Sequence, residues 1–127
     1  MTDPQAKPTL YERLGAEPAL NAAVGLFYDK VLADPSLKPF FDGMDMPALV
    51  RKQTAFMTLA FGGPAQYAGQ NPRDAHRNLV KRGLSDVHFD AVARHLSDTL
   101  KELHVPHELI AECLGLVGSL RNEVLNR

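Results

Sequence analysis

Glycine and proline, 9 of each, gather between stretches whose apolar residues recur with a helical period, and this punctuation decides what the chain is able to fold into. Thr9-Leu10-Tyr11-Glu12 has the form of a capping box opening a short helix that ends at Gly15. Pro18 fits the first position of a second helix, in which Leu20, Val24, Phe27, Tyr28 and Val31 share a face until Asp34-Pro35. A short piece carrying Phe40-Phe41 leads to an Asp42-Gly43 turn. Asp45 and Pro47 then start a helix to about Phe61, with Leu49, Gln53, Phe56, Met57 and Ala60 on one side, which Gly62-Gly63-Pro64 terminates. Beyond an irregular stretch through Tyr67 and Gly69, Asn71-Pro72 opens a helix holding His76, Leu79 and Val80 and closing at Gly83. Ser85 caps a helix with Phe89, Val92, Leu96, Leu100 and Leu103 on one face. A last helix after Pro106 carries Leu109, Ile110, Cys113, Leu114 and Val117. No segment alternates with period two and no Asn-Gly hairpin signal occurs, so the expected class is all-α.

A chain of 127 residues is of single-domain size. Fourteen Lys+Arg against 15 Asp+Glu give a net charge of −1 with no basic concentration, which argues against a nucleic-acid partner. The single cysteine cannot form an internal disulfide, as expected for a reducing compartment. No apolar run reaches the roughly 18 residues of a membrane span, and Met1 to Pro8 is polar rather than signal-like. These features predict a cytoplasmic protein without a membrane partner, and a monomer is expected.

Three polar residues lie on otherwise apolar faces: Tyr28 beside Val24, Phe27 and Val31; Gln53 one turn from Leu49 and Met57; and His76 one turn before Leu79 and Val80. An unpaired buried polar group costs about 1–3 kcal/mol, so each needs a partner. A backbone carbonyl serves for any one of them. Together, on three helices of a small domain, they are expected to meet in one pocket, where an imidazole suits iron and the other two supply hydrogen bonds.

The ordered set Leu10-Tyr11, Phe27-Tyr28, Phe40-Phe41, Lys52-Gln53, Phe61-Gly62-Gly63, Ala75-His76 and His88-Phe89 resembles the truncated haemoglobins of the first group, from Thr9 to about Asn126. The absence of Trp agrees, since the other groups usually carry one near the position of Val92. Gly15-Ala16 departs from the family's usual Gly-Gly. The resemblance implies a globin-like, two-on-two helical sandwich around one haem b over residues 9–127, after a polar tail at 1–8. It makes His76 the proximal iron ligand, Phe41 the phenylalanine packed on the porphyrin with Phe40 one residue away, and Tyr28 and Gln53 the distal pair that hydrogen-bonds a diatomic ligand. Leu49 stands where larger globins usually place a distal histidine. Phe56, Met57, Phe61 and Val92 are expected around the haem, with Tyr67 and Arg73 as candidates for reaching its propionates.

Lys52 divides two implications of the resemblance. In some related proteins a lysine here pairs with the propionates; in some algal relatives the lysine of an Arg-Lys-Gln run like Arg51-Lys52-Gln53 binds iron as sixth ligand. Ligation requires the neutral amine, which at pH 7 costs roughly 4–5 kcal/mol from a reference pKa near 10.4. Burial and a ferric charge would offset that cost. With no histidine after His107, the haem is expected to be noncovalent. His88, His95, His104 and His107 lack the further partners of a zinc cage and are expected at the surface. The expected ligands are O2, NO, CO and cyanide. The expected activity is nitric oxide dioxygenation with an unidentified reductase, the alternative being oxygen binding, storage, transport or sensing without turnover.

Overall fold

The computed structural model describes residues 8–63 and 71–127, and among them every regular element is helical. In chain order these are α1 (Leu10–Leu14), α2 (Ala16–Ala33), a short 3-10 helix (Lys38–Phe41), α3 (Met46–Ala60), α4 (Pro72–Lys81), α5 (Asp86–Glu102), α6 (His107–Gly118) and α7 (Arg121–Val124). Helix α2 packs on α3, α5 packs on α6, and the α2–α5 contact joins the two pairs. That is the two-on-two arrangement expected of the chain. None of these helices is long and apolar enough to cross a membrane.

Local chemistry explains the boundaries. The capping box at Thr9 forms in full: the Glu12 amide donates to Thr9 Oγ1 at 3.1 Å and the Thr9 amide donates to Glu12 Oε1 at 3.3 Å. Asp45 and Asn71 cap α3 and α4 by accepting from the Ala48 and Asp74 amides at 3.2 and 2.8 Å. Pro18 is the third rather than the first residue of α2, still within the turn whose amides lack helical partners. The final helix expected after Pro106 is two, because the chain breaks at Ser119–Leu120 and restarts as α7.

The core comprises Leu20, Val24 and Val31 of α2, Leu37, Met57 of α3, Leu100 of α5, and Ile110 and Cys113 of α6. Its buried threonines are satisfied locally, Thr58 donating to the Thr54 carbonyl at 2.7 Å and Thr99 to the His95 carbonyl at 2.8 Å. Cys113 is wholly buried, and burial pushes its thiol up to about 11, so it packs as a small hydrophobe. His95 is not the surface residue expected: its Nε2 donates to Asp34 Oδ2 at 2.8 Å, tying α5 to the end of α2.

The α1–α2 junction shows what departure from Gly-Gly entails. Gly15 has φ +114 and Ala16 has φ +61, so the alanine occupies the left-handed region that disfavours a Cβ. A Cβ on Gly15 would meet the Ala19 Cβ at 2.9 Å. Opposite outcomes are therefore expected from two substitutions measured by denaturant unfolding. Ala16→Gly should raise stability by up to about 1 kcal/mol through relief of strain, and Gly15→Ala should lower it by about 1–2 kcal/mol. Effects of the same sign would contradict this account of the turn.

Candidate functional site

The helices enclose a cavity of about 850 Å³, within the range of pockets that bury a drug-sized ligand. Its walls include Val24, Phe27, Tyr28 and Val31 from α2, Leu49, Lys52, Gln53, Phe56 and Met57 from α3, and Phe61 just beyond it. Ala75, His76 and Leu79 of α4 and Phe89 and Val92 of α5 line it as well. The three polar residues on apolar faces do converge. They do not sit in a sealed core: Tyr28 is buried, whereas Gln53 and His76 are half-buried along the cavity wall.

The α4 helix presents His76 in a defined state. Its Nδ1 lies 2.7 Å from the Pro72 carbonyl oxygen, which only accepts, so Nδ1 carries the proton. That leaves the Nε2 lone pair of the neutral ring for a metal, the carbonyl acting as the outer partner that orients a ligating histidine. On α2, desolvation raises the Tyr28 phenol above its ordinary range, so it remains an O–H donor, and it has no hydrogen-bond partner among the described residues. The Tyr28 ring meets Phe27 edge-to-face at 5.1 Å and Phe41 at 6.0 Å, two contacts that fix where its hydroxyl points.

Phe40 and Phe41 both line the cavity, because the tight 3-10 turn carries neighbouring side chains to different parts of one wall. Phe41 turns to Tyr28, while Phe40 packs on His88 with ring centroids 5.0 Å apart. Lys52 lines the cavity from an exposed position and makes no hydrogen bond or ion pair with the described residues. Arg73 does not line the cavity, and its guanidinium donates to the main-chain oxygen of Arg127 at 3.0 Å. Tyr67 lies outside the described residues.

His88 is the residue that sequence reasoning missed. Expected at the surface, it is half-buried and lines the cavity, its Nδ1 accepting from the Ser85 amide at 3.0 Å. It stands where a capping box usually has Glu or Gln, so a Ser-x-x-His pattern was the available signal. Met44, Leu84, Leu96, Val117 and Val124 also reach the wall unforeseen. No cluster of three His, Cys, Asp or Glu suited to a metal ion exists among the described residues.

Taken together, the residues fit a flat, largely apolar macrocycle carrying a metal that accepts one imidazole. Apolar walls with Phe40 and Phe41 suit its faces, His76 Nε2 is a preset ligand, and Tyr28 is a donor without a hydrogen-bond partner among the described residues. Comparison with known proteins points the same way. A family profile described as bacterial-like globin matches residues 9–126. A group 1 truncated hemoglobin of Chlamydomonas moewusii is 48% identical over 118 residues, spanning 93% of this chain and 68% of that protein. The corresponding protein of Synechocystis is 47% identical, spanning 94% and 98%. Among solved structures, the 2/2 hemoglobin of Synechococcus sp. PCC 7002, in the cyanomet state with covalently attached heme, superposes with a TM-score of 0.91 at 48% identity, covering 94% of this chain and all 100% of that one.

Opposite tautomers are expected for the two cavity histidines. At a pH where both rings are neutral, nitrogen-15 spectra of the apoprotein should place the proton on Nδ1 in His76 and on Nε2 in His88. An Nε2-protonated His76 would remove the basis for treating it as a preset ligand.

Proposed function

Because the chain belongs to the bacterial-like globins, as a group 1 truncated haemoglobin, and the group is a haem protein family, we propose that this protein holds one noncovalent haem b on His76 and converts nitric oxide to nitrate at it. The observation that carries this reading is the pairing, within one cavity, of an imidazole that spends Nδ1 on a carbonyl and a buried phenol, neither Nε2 nor the phenol having a hydrogen-bond partner among the described residues. When bound, haem supplies a redox-active iron at which O2, NO, CO or cyanide coordinates. The chain does the rest. The Pro72 carbonyl fixes the azimuth of His76. Tyr28 and Gln53 offer donors to a ligand that gains negative charge, and such donors act strongest in a cavity whose apolar walls keep water out. Leu49, on the same wall as Gln53, brings no polar atom, so the hydrogen bonding falls to Tyr28 and Gln53.

The overall reaction consumes one NO, one O2 and one electron per nitrate, and the electron comes from an unidentified reductase in a cytoplasmic setting. Lys52 bears on the choice between turnover and simple oxygen carriage. It lines the cavity without a partner among the described residues, and we assign its amine to the iron when no other ligand is bound, in preference to a propionate pairing. A ligand that must leave before oxygen enters suits redox cycling better than bulk storage. No histidine follows His107, so the vinyl attachment known in some relatives has no nucleophile from that segment here.

The test is the optical spectrum of the ferric and dithionite-reduced protein, with and without carbon monoxide: a Soret band is expected, and His76→Ala should abolish stable haem binding. In Lys52→Ala, low-spin ferric bands should become high-spin; an unchanged spectrum would transfer Lys52 to the propionates. In Tyr28→Phe, oxygen should dissociate faster by about tenfold, the loss of one donor hydrogen bond worth about 1–1.5 kcal/mol, and nitrate yield per NO should fall. Equal oxygen dissociation in the variant would remove Tyr28 from the distal network.

A further inference from the structure

Helix α4 carries His76, yet none of its ten residues is buried. The element it packs against most extensively is α7. Two hydrogen bonds close that contact. Asn126 Nδ2 donates to the Arg73 carbonyl at 3.0 Å, and Arg73 Nη2 donates back to the Arg127 main-chain oxygen at 3.0 Å. Asn126 has φ +60, a left-handed conformation that asparagine tolerates better than most residues.

The α7 end is itself tied to α5. Arg121 donates to Asp86 at 3.0 Å and to Asp90 at 2.6 Å, its guanidinium lies 4.4 Å from the Phe89 ring centroid, and Arg127 donates to Asp86 at 2.8 Å. Each of these half-exposed pairs contributes little stability alone, but together they set where the Asn126 amide stands. The carbonyl that Asn126 holds belongs to the residue after Pro72, whose own carbonyl orients the His76 ring.

We propose that Asn126 and Arg73 form a latch that positions His76: the turn after α7 fixes the first turn of α4, and through it the height and azimuth of the imidazole in the cavity. Asn126 touches neither a ligand nor His76, so it is a positioning residue. The inference rests on the haem reading above. It adds to that reading a determinant on the proximal side, fifty residues away in sequence from His76.

Asn126→Asp tests it in the holoprotein, because the change keeps size and left-handed tolerance while replacing a donor with an acceptor. The iron–histidine stretching band of the reduced protein, read by resonance Raman, should shift and broaden. Haem transfer to excess apomyoglobin should accelerate about fivefold to tenfold, equivalent to about 1–1.4 kcal/mol at about 1.36 kcal/mol per decade. Arg73→Gln, which removes the other half of the latch, should move both readouts the same way and serves if the first variant does not accumulate. An unmoved stretching band in the folded holoprotein, even with a lower melting temperature, overturns the proposal and makes the latch merely structural. Failure of the parent protein to give a Soret band would instead overturn the haem reading.

Discussion

Much of one layer of side chains serves at once as core and as cavity wall, and the rest of the structure follows from that economy. Leu20, Val24, Val31, Leu37, Met57 and Leu100 belong to the packed core and also line the cavity. A chain of 127 residues buries a smaller fraction of its surface than a larger domain does, so much of its core is shared with the binding site. Each helix must therefore show one apolar stripe to a shared interior. Whatever fills that interior adds to the stability of the folded state by mass action, since the unfolded chain offers no such site.

The elements that were legible in the sequence are those set by local rules. Thr9 and Glu12, Asp45, and Asn71 announce helix starts because a cap needs only its own next turn. Tyr28, Gln53 and His76 stood out because a polar residue on an apolar stripe needs an account, and all three reach one cavity. What was illegible depends on distant partners. Arg73 reads from its position in the chain as a candidate for the propionates, and nothing local announces the acceptor 54 residues on that it bonds. His88 and His95 look like solvent-facing histidines by periodicity; a serine amide holds one and Asp34 the other. The question of which phenylalanine faces the site dissolves in the 3-10 turn, where both do.

The two sides of the cavity use polarity in different ways. On the α4 side the polar group is already satisfied, with His76 spending Nδ1 on Pro72 so that only Nε2 remains. On the α2 and α3 side the Tyr28 phenol is kept protonated by burial and has no partner among the described residues. A preset acceptor of metal faces a reserved donor of hydrogen bonds. That asymmetry, more than cavity size, separates such a site from a plain apolar hollow.

Cys113 carries a practical consequence. It is 0% exposed and its thiol is held near 11, so it presents almost no thiolate at neutral pH. It is also the only cysteine in the chain. A new cysteine at a solvent-facing position such as Val87, 72% exposed, would thus be the one nucleophilic sulfur available. Maleimide dyes or spin labels would attach there alone, and inter-helix distances could be followed during filling of the cavity without first stripping the native thiol.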